Sequence, residues 1–226
     1  MATRNMKIVR GKRIRVTRLN ACGEPPASGE ACSYVVSKGF VTATMSPQNE
    51  EGEEFLLLNA DGELCVNDHA QHNFKRFMLS LELCDIDPEL VALLTKVTLE
   101  TDADGNVVGF RSVEGRIDEE FAFELWSGIG DQDCADGEEY GYLLFPFVAG
   151  GTFADLTIEN GVATLTIENA FTRTGGLWGV GPYDVVPDEY GAAAPLGTAI
   201  QDGEHHVQRL TTIAPPAATT GCQPAA

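Results

Sequence analysis

The sequence predicts a mainly β protein: an antiparallel β-sandwich or half-barrel with one short α-helix on its flank. Most apolar segments are short and alternate with polar residues, as half-buried strands do. Asx-Gly pairs, which favour tight hairpin turns, divide the middle of the chain. Only one segment carries helix signals. With 226 residues, of which 43% are apolar, the chain is long enough to bury one full core.

The helix signals follow a predicted strand at residues 77–84, where Phe and Leu alternate with smaller or polar side chains. Asp87 can accept hydrogen bonds from the first free amides of a helix, Pro88 suits its first position, and Glu89 suits the positive end of its dipole. We therefore expect a helix at about residues 87–95, lying close against the sheet. Its predicted apolar face comprises Leu90, Val91, Leu93 and Leu94.

Three two-residue turns predict three hairpins. Asp61-Gly62 joins strands at residues 55–58 and 64–66, Asp104-Gly105 joins 97–99 and 107–110, and Asn160-Gly161 joins 156–158 and 162–165. The third hairpin has a register that can be checked, since it leaves one face fully apolar. The predicted apolar pairs are Ile158 with Ala163, Leu156 with Leu165, and Ala154 with Ile167.

Other segments complete the predicted domain, which spans residues 21–213. Residues 34–44 and 120–126 read as strands, and in the second Phe121, Phe123 and Leu125 alternate with Ala122, Glu124 and Trp126. Residues 140–148 form another, in which Pro146 indicates a sheet edge or a bend. Residues 46–54 and 131–139 are polar and acidic, which favours loops. From Pro187 onward the composition is that of an extended or disordered segment, with one more strand at 207–213 and a flexible Pro/Ala-rich tail at 214–226.

Charge divides the chain into a basic arm, residues 1–20, and an acidic body. The arm holds seven cations and no acid, and residues 14–19 at its end are a strand candidate. The other 206 residues carry eight cations against 34 acids, a net −26. Such a body repels phosphate, so it is unsuited to reading or tightly binding nucleic acid. The arm is either a solvated terminus or a segment that docks on the acidic surface of another copy. The candidates for such subunit contacts are Arg4, Lys7, Arg10, Lys12, Arg13, Glu50, Glu51 and Glu53.

Six cysteines are present without any Cys-x-x-Cys pair. No apolar run is long enough for a membrane helix and no secretion signal is evident, so we expect a soluble, unsecreted protein with free thiols. Cys65 and Cys84 lie in apolar runs and are expected to be buried. The one pair to check for a disulfide is Cys22 with Cys32, across the loop between them.

The sequence carries no catalytic, cofactor or metal signature, and we predict that the protein is not an enzyme. Asp102 opens half of a calcium-loop pattern, but the position of the bidentate glutamate falls on Arg111, so a hairpin turn is favoured. His69 and His72 follow Cys65 and lack a third ligand at a defined reach. The aromatic residues suited to a sugar or base platform are equally typical of a core; they are Trp126, Trp178, Tyr140 and Tyr142.

Four segments together resemble the major tail-tube proteins of long-tailed, non-contractile phages, particularly those that infect actinobacteria. They are Cys-Val-Asn-Asp at 65–68, Glu-Leu-Cys-Asp-Ile-Asp-Pro-Glu-Leu-Val-Ala-Leu-Leu at 82–94, Phe-Ala-Phe-Glu-Leu-Trp at 121–126, and Trp-Gly-Val-Gly-Pro-Tyr-Asp-Val-Val at 178–186. The resemblance covers roughly residues 55–215 and rests on packing and turn motifs.

The resemblance implies a β-sandwich or half-barrel with the helix outside the sheet. Six copies form a ring, and rings stack into a tube that conducts the genome from capsid to host. It further implies assembly in the host cytoplasm, a place in the virion tail, and contacts with tape-measure, terminator and distal tail proteins. DNA passes without specific binding, and no cofactor, membrane or catalysis is involved.

Two other functions remain open from the sequence. A stand-alone acidic β-sandwich that binds carbohydrate or protein would present Trp126 or Trp178 on a concave face. A hydrolase would need two carboxylates roughly 5–10 Å apart across a cleft.

Overall fold

Most strands of the chain belong to a single antiparallel sheet. The computed structural model describes residues 5–130, 138–154, 156, 161 and 163–225. Its elements, in chain order, are β1 (Ile8–Arg18), β2 (Tyr34–Ser37), β3 (Phe40–Glu51), β4 (Phe55–Leu58), β5 (Leu64–Asp68), β6 (His72–Leu83), α1 (Pro88–Leu94), β7 (Val97–Thr101), β8 (Val107–Ser112), β9 (Glu120–Ile129), β10 (Tyr140–Ala149), β11 (Thr152–Phe153), β12 (Leu165–Thr172), β13 (Val186–Pro187), β14 (Ala193–Ala194) and β15 (Val207–Thr211).

The main sheet has nine strands and divides at β10. Its order is β2-β1-β9-β10-β12-β6-β3, with β11 added to β12 and β15 added to β10. One side of β10 pairs with β9, while the other pairs first with β15 and then, at Val148 and Ala149, with β12. The β9–β10 register shifts between Phe145 and Val148, so Pro146 lies at a bend, one of the two places predicted for it. The mainly β, antiparallel fold class with one short helix is confirmed.

Two apolar cores lie on opposite faces of β9 and β10. Phe121 and Phe123 contribute to the first core, together with β6, β12 and α1. Ala122 and Trp126 contribute to the second, which residues 178–196 cover. This is the alternation predicted for residues 120–126. Because both faces are covered, β9 and β10 are the most enclosed strands of the body.

The helix forms where it was predicted. Asp87 caps it by accepting hydrogen bonds from the amides of Glu89 and Leu90, at 2.9 and 3.4 Å, and Pro88 is its first residue. All four predicted apolar side chains are buried in the first core. The Asp61-Gly62 and Asp104-Gly105 hairpins are likewise present as β4–β5 and β7–β8, with positive φ at Gly62 and Gly105.

Residues 8–18 of the predicted basic arm belong to the sheet, so the strand candidate at residues 14–19 is confirmed and the expectation of an extended arm is wrong for this segment. From Ile8 to Arg18 it forms β1, between β2 and β9 within the sheet. Its Ile14 and Val16 enter the first core, while Arg15 on the opposite face is 5% exposed. The prediction failed because a buried arginine needs an acidic partner, and Glu124 lies 109 residues further along the chain.

The cysteine predictions were only partly correct: Cys22, Cys65 and Cys84 are free thiols, as expected, but two other expectations were wrong. Cys32 forms a disulfide with Cys222, not with Cys22, and the thiols of Cys65 and Cys84 are exposed rather than buried. The C-terminal segment is correspondingly docked on the body instead of extending as a flexible tail. Gln223 pairs with Tyr34 at the edge of β2. The predicted strand near residues 207–213 is present as β15.

Two further expectations need correction. Residues 46–51, predicted as a loop, belong to β3 and pair with β6 as far as Glu51 opposite His72. In the third hairpin Phe153, not Ala154, lies opposite Ile167. This register puts Phe153 against the first core and stacks it on Phe110, which buries more apolar area than alanine. Ile158 and Asn160 of the predicted third hairpin, and most of the predicted 131–139 loop, lie outside the described residues.

Candidate assembly surface

The most unusual surface is an exposed hairpin arm, residues 46–75. It comprises the second half of β3, the β4–β5 hairpin and the start of β6. Every residue in it is exposed except Ala70, which is half-buried. The four residues of β4 are apolar, and 56–60% of each is accessible to solvent. A hairpin of two strands is marginally stable alone in water, so such an arm gains little from its own packing.

Local hydrogen bonds nevertheless define the shape of the arm. At its tip the Asn59 side chain accepts hydrogen bonds from the amides of Asp61 and Glu63, at 3.0 and 2.8 Å. Gly62 adopts the positive φ that this turn needs. Between the β3–β6 strand pair and the β4–β5 hairpin, the Gly52 amide donates to the Gln71 carbonyl at 3.0 Å. A side chain at Gly52 would crowd that carbonyl oxygen.

The tip of the arm is apolar on both faces. Leu57 lies opposite Val66, and Leu58 lies opposite Leu64. The register shifts between these two pairs, but Leu56 and Leu57 pair with β5 without a shift, and because side chains alternate along a strand they point to opposite faces of the hairpin. These apolar residues of β4 and β5 are all exposed. Exposed apolar groups that form a continuous patch are typical of interaction surfaces.

Aromatic packing holds the base of the arm against the body. The Phe74 ring lies 4.9 Å from Phe77 and 5.0 Å from His205, between ring centroids. Phe77 also packs against Phe145 of β10, at 5.5 Å. The Phe77 amide donates to the Thr172 hydroxyl at 2.9 Å, and that hydroxyl lies 2.7 Å from Nδ1 of His205. The arm therefore projects from a fixed base.

The arm is strongly acidic and includes three of the predicted contact residues. Glu50, Glu51 and Glu53 are all exposed, and among the described residues Glu50 alone of the three forms an ion pair, with Lys75 at 4.0 Å. The arm as a whole contains seven acids and one Lys or Arg. The acids are Glu50, Glu51, Glu53, Glu54, Asp61, Glu63 and Asp68.

The predicted basic contacts lie elsewhere, on β1 and just before it. Lys7 and Arg10 are exposed, while Arg13 is half-buried and donates to the Lys12 carbonyl. Lys12 contacts Glu138 at 2.7 Å and lies over the Tyr140 ring. Arg4 lies outside the described residues. Four strands separate β1 from β3 in the sheet order, so the structure does not bring the predicted basic and acidic groups together along one strand pair.

The body contains a buried charge pair that sequence reasoning missed. Arg15 on β1 donates two hydrogen bonds to Glu124 on β9, at 2.5 and 2.6 Å, and the Tyr142 hydroxyl donates to the same carboxylate at 2.7 Å. The Tyr183 ring stacks on the Arg15 guanidinium. Burial, followed by the charge of Glu124, raises the pKa of Tyr142 well above its usual value. Each charge has a partner, as burial requires.

The other residues that the sequence offered for ligand or metal binding have structural roles. The four aromatics considered as a platform are at most 7% exposed, so neither tryptophan lies on an open concave face. Asp102 accepts hydrogen bonds from Asp104 and Asn106 within its turn, and bonding to Asn106 lowers the pKa of its carboxyl. Across the described ranges, no cluster of three or more His, Cys, Asp or Glu residues is arranged to hold a metal ion. Within the same residues, the helix is too short to cross a bilayer.

Sequence reasoning identified the acids of the arm but not its exposure. A run of four apolar residues such as Phe55-Leu56-Leu57-Leu58 is equally typical of a buried strand. The available signal was the charge around it, because acids flank both β4 and β5 and mark a segment surrounded by water. Comparison with known proteins adds no identification: no protein-family model matches the chain, and no curated protein matches it significantly.

Proposed function

We propose that this protein is a structural subunit that assembles with copies of itself. The observation that carries the proposal is the hairpin arm, which exposes apolar side chains on both faces although the body already has two complete cores. Burying a leucine or phenylalanine side chain is worth about 1.5–3 kcal/mol. Covering β4 and β5 at a contact would therefore provide much of the free energy of assembly.

A second copy suits the arm because one chain carries both signs of charge. The arm is acidic, whereas β1 and the residues before it carry exposed cations such as Lys7 and Arg10. Opposite fields on separate parts of the same chain favour contact between copies. The outer edge of β3 also has no strand partner among the described residues, which leaves backbone groups for pairing.

The specific assembly we propose is the tail tube of a long-tailed, non-contractile phage, made of stacked six-membered rings in the virion tail. Its support is the resemblance of four sequence segments to that family, together with charge. At a net charge of −19, the protein repels phosphate groups, which suits a conduit that DNA passes without binding. The same proposal includes contacts with other tail proteins.

Assembly can be tested with an arm variant in which Phe55, Leu56, Leu57 and Leu58 are each replaced by Ser. The purified protein and the variant are compared by analytical ultracentrifugation and negative-stain electron microscopy, from about 1 µM to about 1 mM, a range that resolves weak contacts. We expect rings or tubes for the natural protein and monomers for the variant. The matched control replaces Val108 and Val113 by Ser, since both are exposed apolar residues outside the arm.

The outcomes separate the candidate functions. Closed rings or tubes that depend on the arm support the tail-tube proposal, and other arm-dependent oligomers support self-assembly alone. Monomers at every concentration for the natural protein would favour the stand-alone acidic binding module. Equal loss of assembly in the Val108/Val113 control would show that general surface hydrophobicity, and not the arm, drives association.

A further inference from the structure

The C-terminal residues 219–225 form a strap along the outer edge of β2. The Thr219 amide donates to the Val36 carbonyl at 2.9 Å, and the Gln223 amide donates to the Tyr34 carbonyl at 2.8 Å. In return, the Tyr34 amide donates to the Gln223 carbonyl and the Val36 amide to the Thr219 hydroxyl, at 3.2 and 3.0 Å. The strap thus satisfies the backbone groups that β2, as an end strand of the sheet, would otherwise present to water.

Two carboxylates at the start of α1 receive the middle of the strap. The Gly221 amide donates to Asp87 at 2.9 Å, and the Cys222 amide donates to Glu89 at 2.7 Å. Beyond them, the Ala225 amide donates to the Glu30 carbonyl at 3.0 Å. The strap therefore joins three parts of the molecule: β2, the loop before β2 and α1.

One covalent bond fixes the strap. Cys222 lies in its middle and is bonded to Cys32, two residues before β2. The two cysteines are separated by 190 residues, so without this bond the C-terminal end has only noncovalent contacts with the body: these hydrogen bonds, the packing of Cys222 against the first core and the burial of Ala225. These hydrogen bonds are partly buried, and each stabilises the docked strap only modestly, because bonds to water are exchanged for bonds within the protein.

We propose that the strap is a redox-controlled cover of the β2 edge. Attack by a low-molecular-weight thiol on the disulfide gives a mixed disulfide, and a second thiol resolves it. Two thiols are oxidised to one disulfide, and Cys32 and Cys222 each gain a proton as free thiols. Reduction releases the strap and leaves the edge of β2 open. An oxidising environment closes the bond again and covers the edge, whereas a reducing cytosol keeps it open. This inference is independent of the proposed assembly.

Amide hydrogen exchange measured by NMR on the full chain, with and without dithiothreitol, tests the proposal. We expect the amides of Tyr34 and Val36 to exchange at least about tenfold faster after reduction, because only the strap bonds them. The amides of Val35 and Ser37, which face β1 by the alternation of an antiparallel ladder, should not change. A Cys32→Ser/Cys222→Ser protein should behave like the reduced form, whereas a Cys22→Ser/Cys84→Ser control should respond to dithiothreitol like the natural protein.

Three results would overturn the proposal. Mass spectrometry of unreduced peptides from air-oxidised protein could fail to find Cys32 linked to Cys222. Tyr34 and Val36 could stay protected after reduction, which would mean that noncovalent contacts are sufficient to hold the strap. All four β2 amides could accelerate together, which would indicate general loosening of the sheet. Tryptophan fluorescence of Trp126 and Trp178, both buried, verifies that the reduced protein stays folded.

Discussion

β9 and β10 are covered on both faces, whereas the hairpin arm is covered on neither. In the body even a charged pair, Arg15 with Glu124, is enclosed and fully partnered. In the arm, Leu56 and Leu57 are left in water although they are among the most apolar residues of the chain. The body encloses its apolar groups within the single protomer, and under our proposal the exposed apolar groups of the arm are covered by contacts between copies.

Breaking the buried charge pair tests the body side of this comparison and has the largest expected effect on stability. Glu124→Ala leaves the Arg15 guanidinium buried without its partner and removes the acceptor of the Tyr142 hydroxyl. We expect the free energy of unfolding to fall by about 3–5 kcal/mol. Urea unfolding followed by tryptophan fluorescence measures the loss.

The matched control is Glu100→Ala. It breaks another Arg–Glu pair between neighbouring strands, Arg111 with Glu100, in which both side chains are exposed. Solvent screens that pair, so its loss should change stability too little to measure. Similar losses in the two variants would contradict the claim that enclosure gives the Arg15–Glu124 pair its importance.

At the junction between the body and the hairpin arm we expect a smaller effect on stability, and one that depends on pH. Burial, and then the neighbouring charge of His206, lowers the pKa of His205 below its ordinary value of 6.5. As pH falls through about 6.5, the unfolded chain therefore binds a proton at this position more readily than the folded chain does, and the folded state loses stability. Above this pH both states are neutral there and the contribution disappears.

Thermal unfolding of the natural protein and of His205→Gln, followed from about pH 8 to about pH 5, isolates this contribution. The many carboxylates titrate in both proteins, so the difference between the two curves reports on His205. We expect the natural protein to lose more thermal stability on acidification than the variant. Parallel curves would show that the base of the arm does not depend on neutral His205.

The elements that sequence reasoning predicted correctly are those specified by near neighbours. Asp87 and Pro88 set the start of α1 within two residues of each other, and Gly62 and Gly105 set their turns in the same local way. The alternation of residues 120–126 gave the faces of β9, because period two holds for any strand with a buried face.

The features that could not be predicted depend on partners distant in sequence. Residues 1–20 contain seven cations and no acid, which favours a solvated N-terminal segment. Nothing near β1 in the sequence shows that Glu124 neutralises Arg15. The Cys32–Cys222 bond joins positions 190 residues apart, so spacing could not select it over Cys22. The exposure of β4 could not be predicted either. An apolar composition shows that a strand can be buried, but it does not show whether other residues of the same chain pack against it.

The arm itself should contribute least to the stability of the protomer. Leu57→Ala removes an exposed leucine, so under conditions where the protein is monomeric the free energy of unfolding should change by no more than about 0.5 kcal/mol. The same substitution in the body, Leu144→Ala, removes a fully buried side chain and should cost about 2–5 kcal/mol. Urea denaturation at low protein concentration, with the monomer verified by sedimentation, measures both. A loss above about 1 kcal/mol for Leu57→Ala would mean that the arm packs within the single chain, and its apolar tip would no longer argue for a second copy.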